Sequence, residues 1–187
     1  MAKFLFGLIL GVLVVPAAGY LYFSGGHAPV ATTDPDMPFE KHMAHMALSA
    51  RIDKEMPKSA PIQGDEPNLS AGADIYREHC AVCHGLPGQP KTAIATGMYP
   101  PPPKLMEGKG VTDDEPGETY WKVANGIRLT GMPGFKGKLS ETQMWQVSLL
   151  AAQADKLPLS VSATLTPVYA PPIPAPAVPP PSGLKKK

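Results

Sequence analysis

The stretch that decides the fold is Cys80-Ala81-Val82-Cys83-His84, which contains both cysteines of the 187-residue chain. Cys-x-x-Cys-His is the spacing at which c-type haem is attached to a protein. Each thiol adds across one vinyl group of the porphyrin, and the two intervening residues let both sulfurs reach from one turn of chain. The adjacent histidine is then carried under the ring, where its imidazole binds the iron. The motif therefore predicts one covalent haem c held by Cys80, Cys83 and His84.

Two other uses of a Cys-x-x-Cys pair are disfavoured by the rest of the sequence. A redox disulfide of the thioredoxin kind needs a βαβ context, which the sequence does not show. A structural zinc site needs a second pair of cysteines or histidines. His42 and His45 are the candidates, and they lie far upstream. Because they are three residues apart on a predicted helix, they form either a metal-binding pair or, as we favour, a solvated polar edge.

A loop methionine provides the second candidate iron ligand. The segment 127–135 contains Gly131-Met132-Pro133-Gly134, a composition that excludes regular structure. A thioether held in such a loop is a suitable second axial ligand for a low-spin haem, and it raises the reduction potential. Among the other methionines, Met98 follows the attachment motif too closely to cross the ring easily, and Met144 is needed for helix packing. The predicted metal ligands are therefore His84 and Met132.

The remaining signals within this region predict helices. One helix should run from a Ser70 cap into the cysteine motif, and a second should occupy residues 114–125. A third is predicted from a capping box, Ser140 with Gln143, to about Asp155. The 24 prolines and 18 glycines confine regular structure to such segments. A formal net charge of +1 gives no reason to expect a nucleic-acid partner.

The N-terminus carries an apolar segment. Residues 4–23 are uncharged, follow Lys3 and end in aromatic residues, as expected of a helix that crosses a bilayer. We predict that residues 1–23 are a membrane anchor or an uncleaved signal. A cleaved signal peptide, with its apolar core ending near Ala17, is the alternative. Both interpretations place the rest of the protein outside the cytoplasm.

The segments that flank the haem region differ from it in composition. Residues 24–68 are predicted to be a linker with an amphipathic helix near 38–56, capped by Asp36. Phe39, Met43, Met46, Ala47 and Ala50 form the apolar stripe of this helix. Residues 161–187 are proline-rich and end in three lysines, which favours an extended, disordered tail over a docking strand or a membrane contact.

The haem region, residues 69–160, resembles a class I c-type cytochrome, the match extending over 69–157. The resemblance lies in Gly72 and Tyr76 ahead of the cysteine motif, the motif itself, the Gly-Met-Pro-Gly-Phe loop and the C-terminal helix. It implies an all-α domain wrapped around one covalent haem, with an N-terminal transmembrane helix added. It also implies that the first and last helices cross at Gly72, against Trp145 or Leu149. By the same similarity, the backbone of residues 100–103 orients His84.

The resemblance further implies a function. Together with the apolar segment, it suggests a single-haem electron carrier of a bacterial inner membrane, tethered through residues 4–23 with the haem domain in the periplasm. Its partners are then redox proteins or membrane complexes, with no small-molecule substrate and no enzymatic activity of its own. The alternatives are a haem subunit of a larger membrane-bound dehydrogenase or terminal oxidase and, less favoured, a haem-based sensor or peroxidase-like enzyme.

Overall fold

The computed structural model describes residues 1–166, and the regular elements in this range are helical, which confirms the all-α fold class. The helices in chain order are α1 (Ala2–Ser24), α2 (Glu40–Glu55), α3 (Glu66–Ile75), α4 (Ala81–His84), α5 (Ala93–Thr96), α6 (Pro116–Asn125), α7 (Glu141–Ala152) and α8 (Leu159–Leu165). A π-helical turn, Tyr76–Cys80, joins α3 to α4. The chain therefore runs helically from Glu66 through the cysteine motif.

The core of the haem region lies where α3, α6 and α7 meet. Leu69, Ala73 and Tyr76 are buried on the first of these helices and its π turn, and Leu150 is buried on α7. On the opposite side of α7, the indole of Trp145 stacks on the ring of Tyr120 from α6, with ring centroids 4.2 Å apart. Helix α7 is thus packed between the other two, which explains why eight of its residues are buried.

Helices α3 and α7 approach each other closely at Gly72. A Cβ placed on Gly72 would lie 2.4 Å from the backbone oxygen of Gln146 and 3.2 Å from Cβ of Leu150. The crossing of α3 and α7 at this glycine therefore occurs, but the predicted counterparts, Trp145 and Leu149, are wrong. Those two residues lie one position earlier on α7, a rotation of about 100°, and Trp145 is turned towards α6 instead.

Two of the predicted helix ends also differ from the structure. Helix α3 begins at Glu66 rather than after Ser70, because the Asp65 side chain accepts a hydrogen bond from the backbone N–H of Asn68 at 3.2 Å. Helix α7 begins as predicted, with the capping box of Ser140 and Gln143 formed in both directions. It ends at Ala152 rather than near Asp155.

The boundary predicted between the haem region and the tail is wrong. Residues 161–165 belong to α8, which packs against α3 and buries Val161 and Leu165. The hydroxyl of Ser160 also hydrogen-bonds the carboxylate of Glu66. Residues 161–165 lie ahead of the proline-rich segment, so no proline interrupts the helix that buries Val161 and Leu165. The predicted tail beyond Thr166 lies outside the described residues.

The segment before the haem region packs onto it through the C-terminal half of α2. Ile52 is buried, and Glu55 accepts a hydrogen bond of 3.1 Å from the indole N–H of Trp121. The predicted cap, Asp36, does not cap α2; it pairs with Lys41 at 2.5 Å and accepts a hydrogen bond from the hydroxyl of Tyr99. A packed helix therefore replaces part of the predicted linker.

The apolar stripe predicted for α2 faces solvent rather than the protein. Phe39, Met43 and Met46 are 78%, 56% and 52% exposed. The helix uses a different face to contact the haem region, the one that carries Ile52 and Glu55.

Helix α1 fits the predicted membrane anchor. It has 23 residues, none of them buried, and it is the helix within residues 1–166 that is long and apolar enough to cross a bilayer. At 1.5 Å per residue it is about 34 Å long, close to the thickness of a hydrocarbon core. A signal sequence would have the same length and composition, so this helix is a candidate span.

We expect Gly72→Ala to destabilise the fold, although alanine is normally the better helix former by about 1 kcal/mol. The new Cβ would collide with the backbone of Gln146, and overpacking of this kind typically costs about 1–3 kcal/mol. Thermal unfolding should show a lower melting temperature. Asp74→Ala, at an exposed position of α3, is the matched control; equal melting temperatures for the two variants would contradict the close crossing.

Candidate haem site

The two cysteines lie on consecutive parts of one helical run. Cys80 is the last residue of the π-helical turn, and Cys83 is the third residue of α4. Both are half-buried and neither forms a disulfide. A helical backbone at these positions places both thiols on neighbouring parts of one surface, as attachment to two vinyl groups of one porphyrin requires.

The imidazole of His84 is oriented by a backbone carbonyl. Its Nδ1 lies 2.8 Å from the oxygen of Pro103, in the proline segment 100–103 that was expected to perform this role. A hydrogen bond there places the proton on Nδ1 and leaves Nε2 free as a metal ligand. Burial lowers the pKa of His84, and the hydrogen bond to Pro103 opposes this effect only in part. The neutral imidazole that metal binding requires is therefore favoured.

Burial also acts on the first cysteine. It raises the pKa of the Cys80 thiol to about 12, with a smaller contribution from Cys83 beside it. The group is therefore uncharged at neutral pH, as a thioether formed by its addition to a vinyl group would be. A buried position that penalises a thiolate does not penalise a thioether, so the surroundings of Cys80 fit the attached form.

A hydrogen bond from Tyr76 holds the turn that follows His84. This residue is fully buried, and its hydroxyl donates a hydrogen bond of 2.8 Å to the carbonyl of Gly85. Gly85 has a φ of 79°, which favours glycine over residues with a side chain. Burial raises the pKa of Tyr76, so its hydroxyl keeps the proton that it donates. Tyr76 thereby links the core to the end of the attachment motif.

The methionine loop is attached to the end of α6. The N–H groups of Phe135 and Lys136 donate to the carbonyls of Val123 and Ala124 at 2.9 and 3.1 Å. Within the loop, the N–H of Ile127 donates to the carbonyl of Met132 at 3.2 Å. The loop follows α6 in sequence and its far end is hydrogen-bonded back to α6, so both ends of the loop are joined to this helix.

Hydrogen bonds hold Met132 at both its carbonyl group and its N–H group. Its N–H donates to the hydroxyl of Thr130 at 3.1 Å. Its half-buried side chain packs against the core, as do Cys80 and Phe135. The structure therefore brings the methionine loop and the attachment motif to the same hydrophobic core, although the two segments are far apart in sequence.

A second methionine also reaches this loop, which the sequence did not indicate. A Cβ placed on Gly131 would lie 1.7 Å from the terminal methyl carbon of Met98. Met98 was expected to follow the attachment motif too closely to cross the ring easily, yet its side chain contacts the residue before Met132. Only the tertiary fold brings these residues together.

Other potential metal ligands do not form a cluster. His42 and His45 are both exposed on α2. Within residues 1–166 there is no group of three or more histidine, cysteine, aspartate or glutamate side chains placed to hold a metal ion. The side chains around the cysteine motif and the methionine loop thus define the candidate cofactor site in the described part of the chain.

A helical domain with a Cys-x-x-Cys-His motif, an oriented histidine and a loop methionine defines the class of c-type cytochromes. Comparisons with known proteins agree. Residues 67–149 match the family model described as cytochrome C oxidase, cbb3-type, subunit III. Cytochrome c6 of Limnospira maxima is 31% identical over 90 residues, which cover 48% of this chain and 97% of that protein. The chain belongs to the c-type cytochrome family.

A solved structure is also similar over part of the chain. It is a chain of the reducing HAO-like protein complex of Kuenenia stuttgartiensis, with 25% identity and a TM-score of 0.45. The match covers 51% of this chain and 47% of that one, so this chain spans about half the length of that neighbour.

Family membership establishes the cofactor and the general function. The cofactor is covalent haem c, and Cys80, Cys83 and His84 form the matching Cys-x-x-Cys-His sequence. The function is electron transfer by this haem.

We expect Gly131→Ala to disturb the methionine loop through Met98. The backbone of Gly131 suits any residue, so the effect should come from the collision between the new Cβ and the Met98 methyl group. With Met132 as an iron ligand, the ferric protein should lose intensity in its sulfur-to-iron charge-transfer band. In the double variant Gly131→Ala/Met98→Ala, the freed space should restore the band. A band that is equally weak in the double variant would contradict this explanation.

Proposed function

We propose that Cys80 and Cys83 carry the two thioether bonds and that His84 and Met132 are the two axial ligands of the iron. The hydrogen bond made by His84 is the observation that carries this proposal. The hydrogen bond between Nδ1 of His84 and the Pro103 carbonyl leaves Nε2 as the metal-binding atom. Met132 lies in a loop tied to α6 and packs against the core that also contacts Cys80. When bound, haem c supplies a one-electron Fe(III)/Fe(II) couple.

With His84 and Met132 on the axial positions, no coordination site is left for a substrate. The chain is then an electron carrier rather than an enzyme, and its residues hold, orient and desolvate the cofactor. A soft thioether ligand favours the ferrous state and raises the potential. Its partners are redox proteins or membrane complexes that donate and accept electrons through small, transient contacts.

The same proposal places the carrier at a membrane. Helix α1 crosses the bacterial inner membrane, and the haem domain lies on the periplasmic side. Lys3 precedes the apolar segment, in agreement with a cytoplasmic N-terminus. The cofactor supports this orientation, because haem is attached to bacterial c-type cytochromes outside the cytoplasm.

A second candidate function is a haem subunit of a larger membrane-bound oxidase or dehydrogenase. The observation that favours it is the matching family model, whose description names a subunit of cbb3-type cytochrome C oxidase. Isolation in mild detergent separates the two functions. A single chain after size-exclusion chromatography supports the independent carrier, and stoichiometric companion subunits support the complex.

We expect Met132→Ala to remove the sulfur-to-iron charge-transfer band, to open the iron to carbon monoxide and to lower the reduction potential. The physical reason is the loss of the thioether ligand from one axial position. Absorption spectra, with and without carbon monoxide, and a potentiometric titration measure these changes. Met98→Ala is the matched control and should keep the band. If the band were lost in Met98→Ala and kept in Met132→Ala, Met98 would be the ligand instead.

We expect the intact mass of the membrane-extracted protein to equal the whole chain plus one haem. Both thioether bonds survive denaturation, so the haem mass should remain on the unfolded polypeptide, and an uncleaved anchor keeps the N-terminus. A denatured chain without the haem increment would contradict the proposed attachment. A mature N-terminus at or near Ala18 would instead contradict only the membrane anchor.

A further inference from the structure

The outer face of α2 is an apolar surface for which the described part of the haem region provides no cover. Ile52 is buried against that region, and Glu55 on the same side binds the indole of Trp121. Met43 lies nine residues before Ile52, which is two and a half turns of helix at 100° per residue. The two side chains therefore point to opposite sides of α2.

The residues on this outer face are large, apolar and exposed. Met43 and Met46 are 56% and 52% exposed, and Phe39, which precedes the first turn, is 78% exposed. Ala47 and Ala50, which are also exposed, continue the same face towards the C-terminal end of α2. We name the five residues Phe39, Met43, Met46, Ala47 and Ala50 the α2 outer face. Apolar groups in such an arrangement on a surface helix normally mark a contact site.

The charges around the α2 outer face restrict what can cover it. A helical projection places no carboxylate within it; Glu40 and Asp53 lie on its two borders. The same projection places the side chain of Lys54 within this face, near the C-terminal end of the helix. A lysine at such a position can bury its methylene groups and extend its ammonium group to anionic headgroups. An exposed apolar face with such a lysine can rest on the headgroup region of a bilayer.

The chain that precedes α2 keeps it near the end of α1. Even fully extended, residues 25–39 reach about 50 Å, and the structure shortens this distance with turns. Asp34 accepts hydrogen bonds from the N–H groups of Val30 and Ala31 at 2.8 and 2.9 Å, and Glu40 accepts one from the N–H of Met37 at 2.9 Å. If α1 spans the bilayer, α2 therefore begins close to the surface at which α1 emerges.

We propose that the α2 outer face lies on the lipid surface, so that α2 is held between the bilayer on one side and the haem region on the other. The proposal rests on the proposed membrane anchor. Its consequence is orientation: α2 is attached to α6 through Glu55 and Trp121, so a membrane-bound α2 fixes which side of the haem region faces the bilayer. The haem edge then meets membrane partners in a limited range of directions.

Photo-crosslinking to lipid tests this proposal on the full chain. The holoprotein is produced with p-benzoylphenylalanine in place of Met43 or of Met46. It is reconstituted into nanodiscs of phosphatidylethanolamine and phosphatidylglycerol, irradiated and analysed by mass spectrometry. The matched control has the same probe in place of Lys41, an exposed residue about 160° from Met43 and about 140° from Met46 around the axis of α2. We expect phospholipid adducts from positions 43 and 46, and several-fold fewer from position 41.

A probe in place of Leu13, in the middle of α1, separates failure of this proposal from failure of the anchor. Lipid adducts at position 13 with none at 43 and 46 would overturn the surface contact and leave the anchor intact. No adduct at position 13 would overturn both. Crosslinks at position 43 between two copies of the chain would also overturn the proposal, because a second copy would then cover the α2 outer face in place of lipid.

A double variant provides a second measurement. Met43→Glu/Met46→Glu places carboxylates on the α2 outer face, where they contact no part of the haem region. With the probe in place of Phe39, lipid adducts should fall several-fold, while the haem spectrum and melting temperature remain unchanged. A large fall in melting temperature would show that the two methionines pack against the protein, and this would overturn the proposal.

Discussion

The site depends on the close crossing of α3 and α7 at Gly72. Helix α3 leads directly through a π-helical turn into the cysteine motif, and α7 follows directly after the methionine loop. The contact between Gly72 and the backbone of Gln146 therefore sets how the two segments that we propose to bind the iron stand relative to each other. A side chain at Gly72 would separate both helices, and the segments attached to their ends would move with them.

Around this crossing, the segments that carry the proposed ligands are held mainly by backbone groups. The carbonyl of Pro103 orients His84, and the carbonyl of Gly85 receives the hydroxyl of Tyr76. The methionine loop is bonded to the last carbonyls of α6. Carbonyl positions follow from the fold and change little with side-chain mutation.

The segment before the haem region is part of the folded structure, although the family match begins only at residue 67. Its contacts with the haem region are spread along its length. Asp36 binds Tyr99, Glu55 binds Trp121, and a Cβ on Gly117 would lie 1.9 Å from the carbonyl oxygen of Pro57. Tyr99 is next to Met98, which contacts the methionine loop. This segment is therefore in a position to support the candidate haem site as well as to connect it to a membrane.

The sequence by itself determined the local features of this protein. The five residues from Cys80 to His84 specified the cofactor, because covalent attachment needs reactive groups at one fixed spacing. The capping box at Ser140 and Gln143 specified where α7 begins, because its bonds join residues three apart. The composition of residues 4–23 likewise predicted the apolar helix α1. Only the tertiary structure decided which face of α7 meets Gly72 and that Met98 contacts Gly131. It also decided that α2 packs through Ile52 rather than Met43. The packed helix formed by residues 161–165 was likewise seen only in the structure. Each of these is a contact between distant segments, and neighbouring faces of one helix differ by a single residue in sequence, so hydrophobic pattern alone could not select among them.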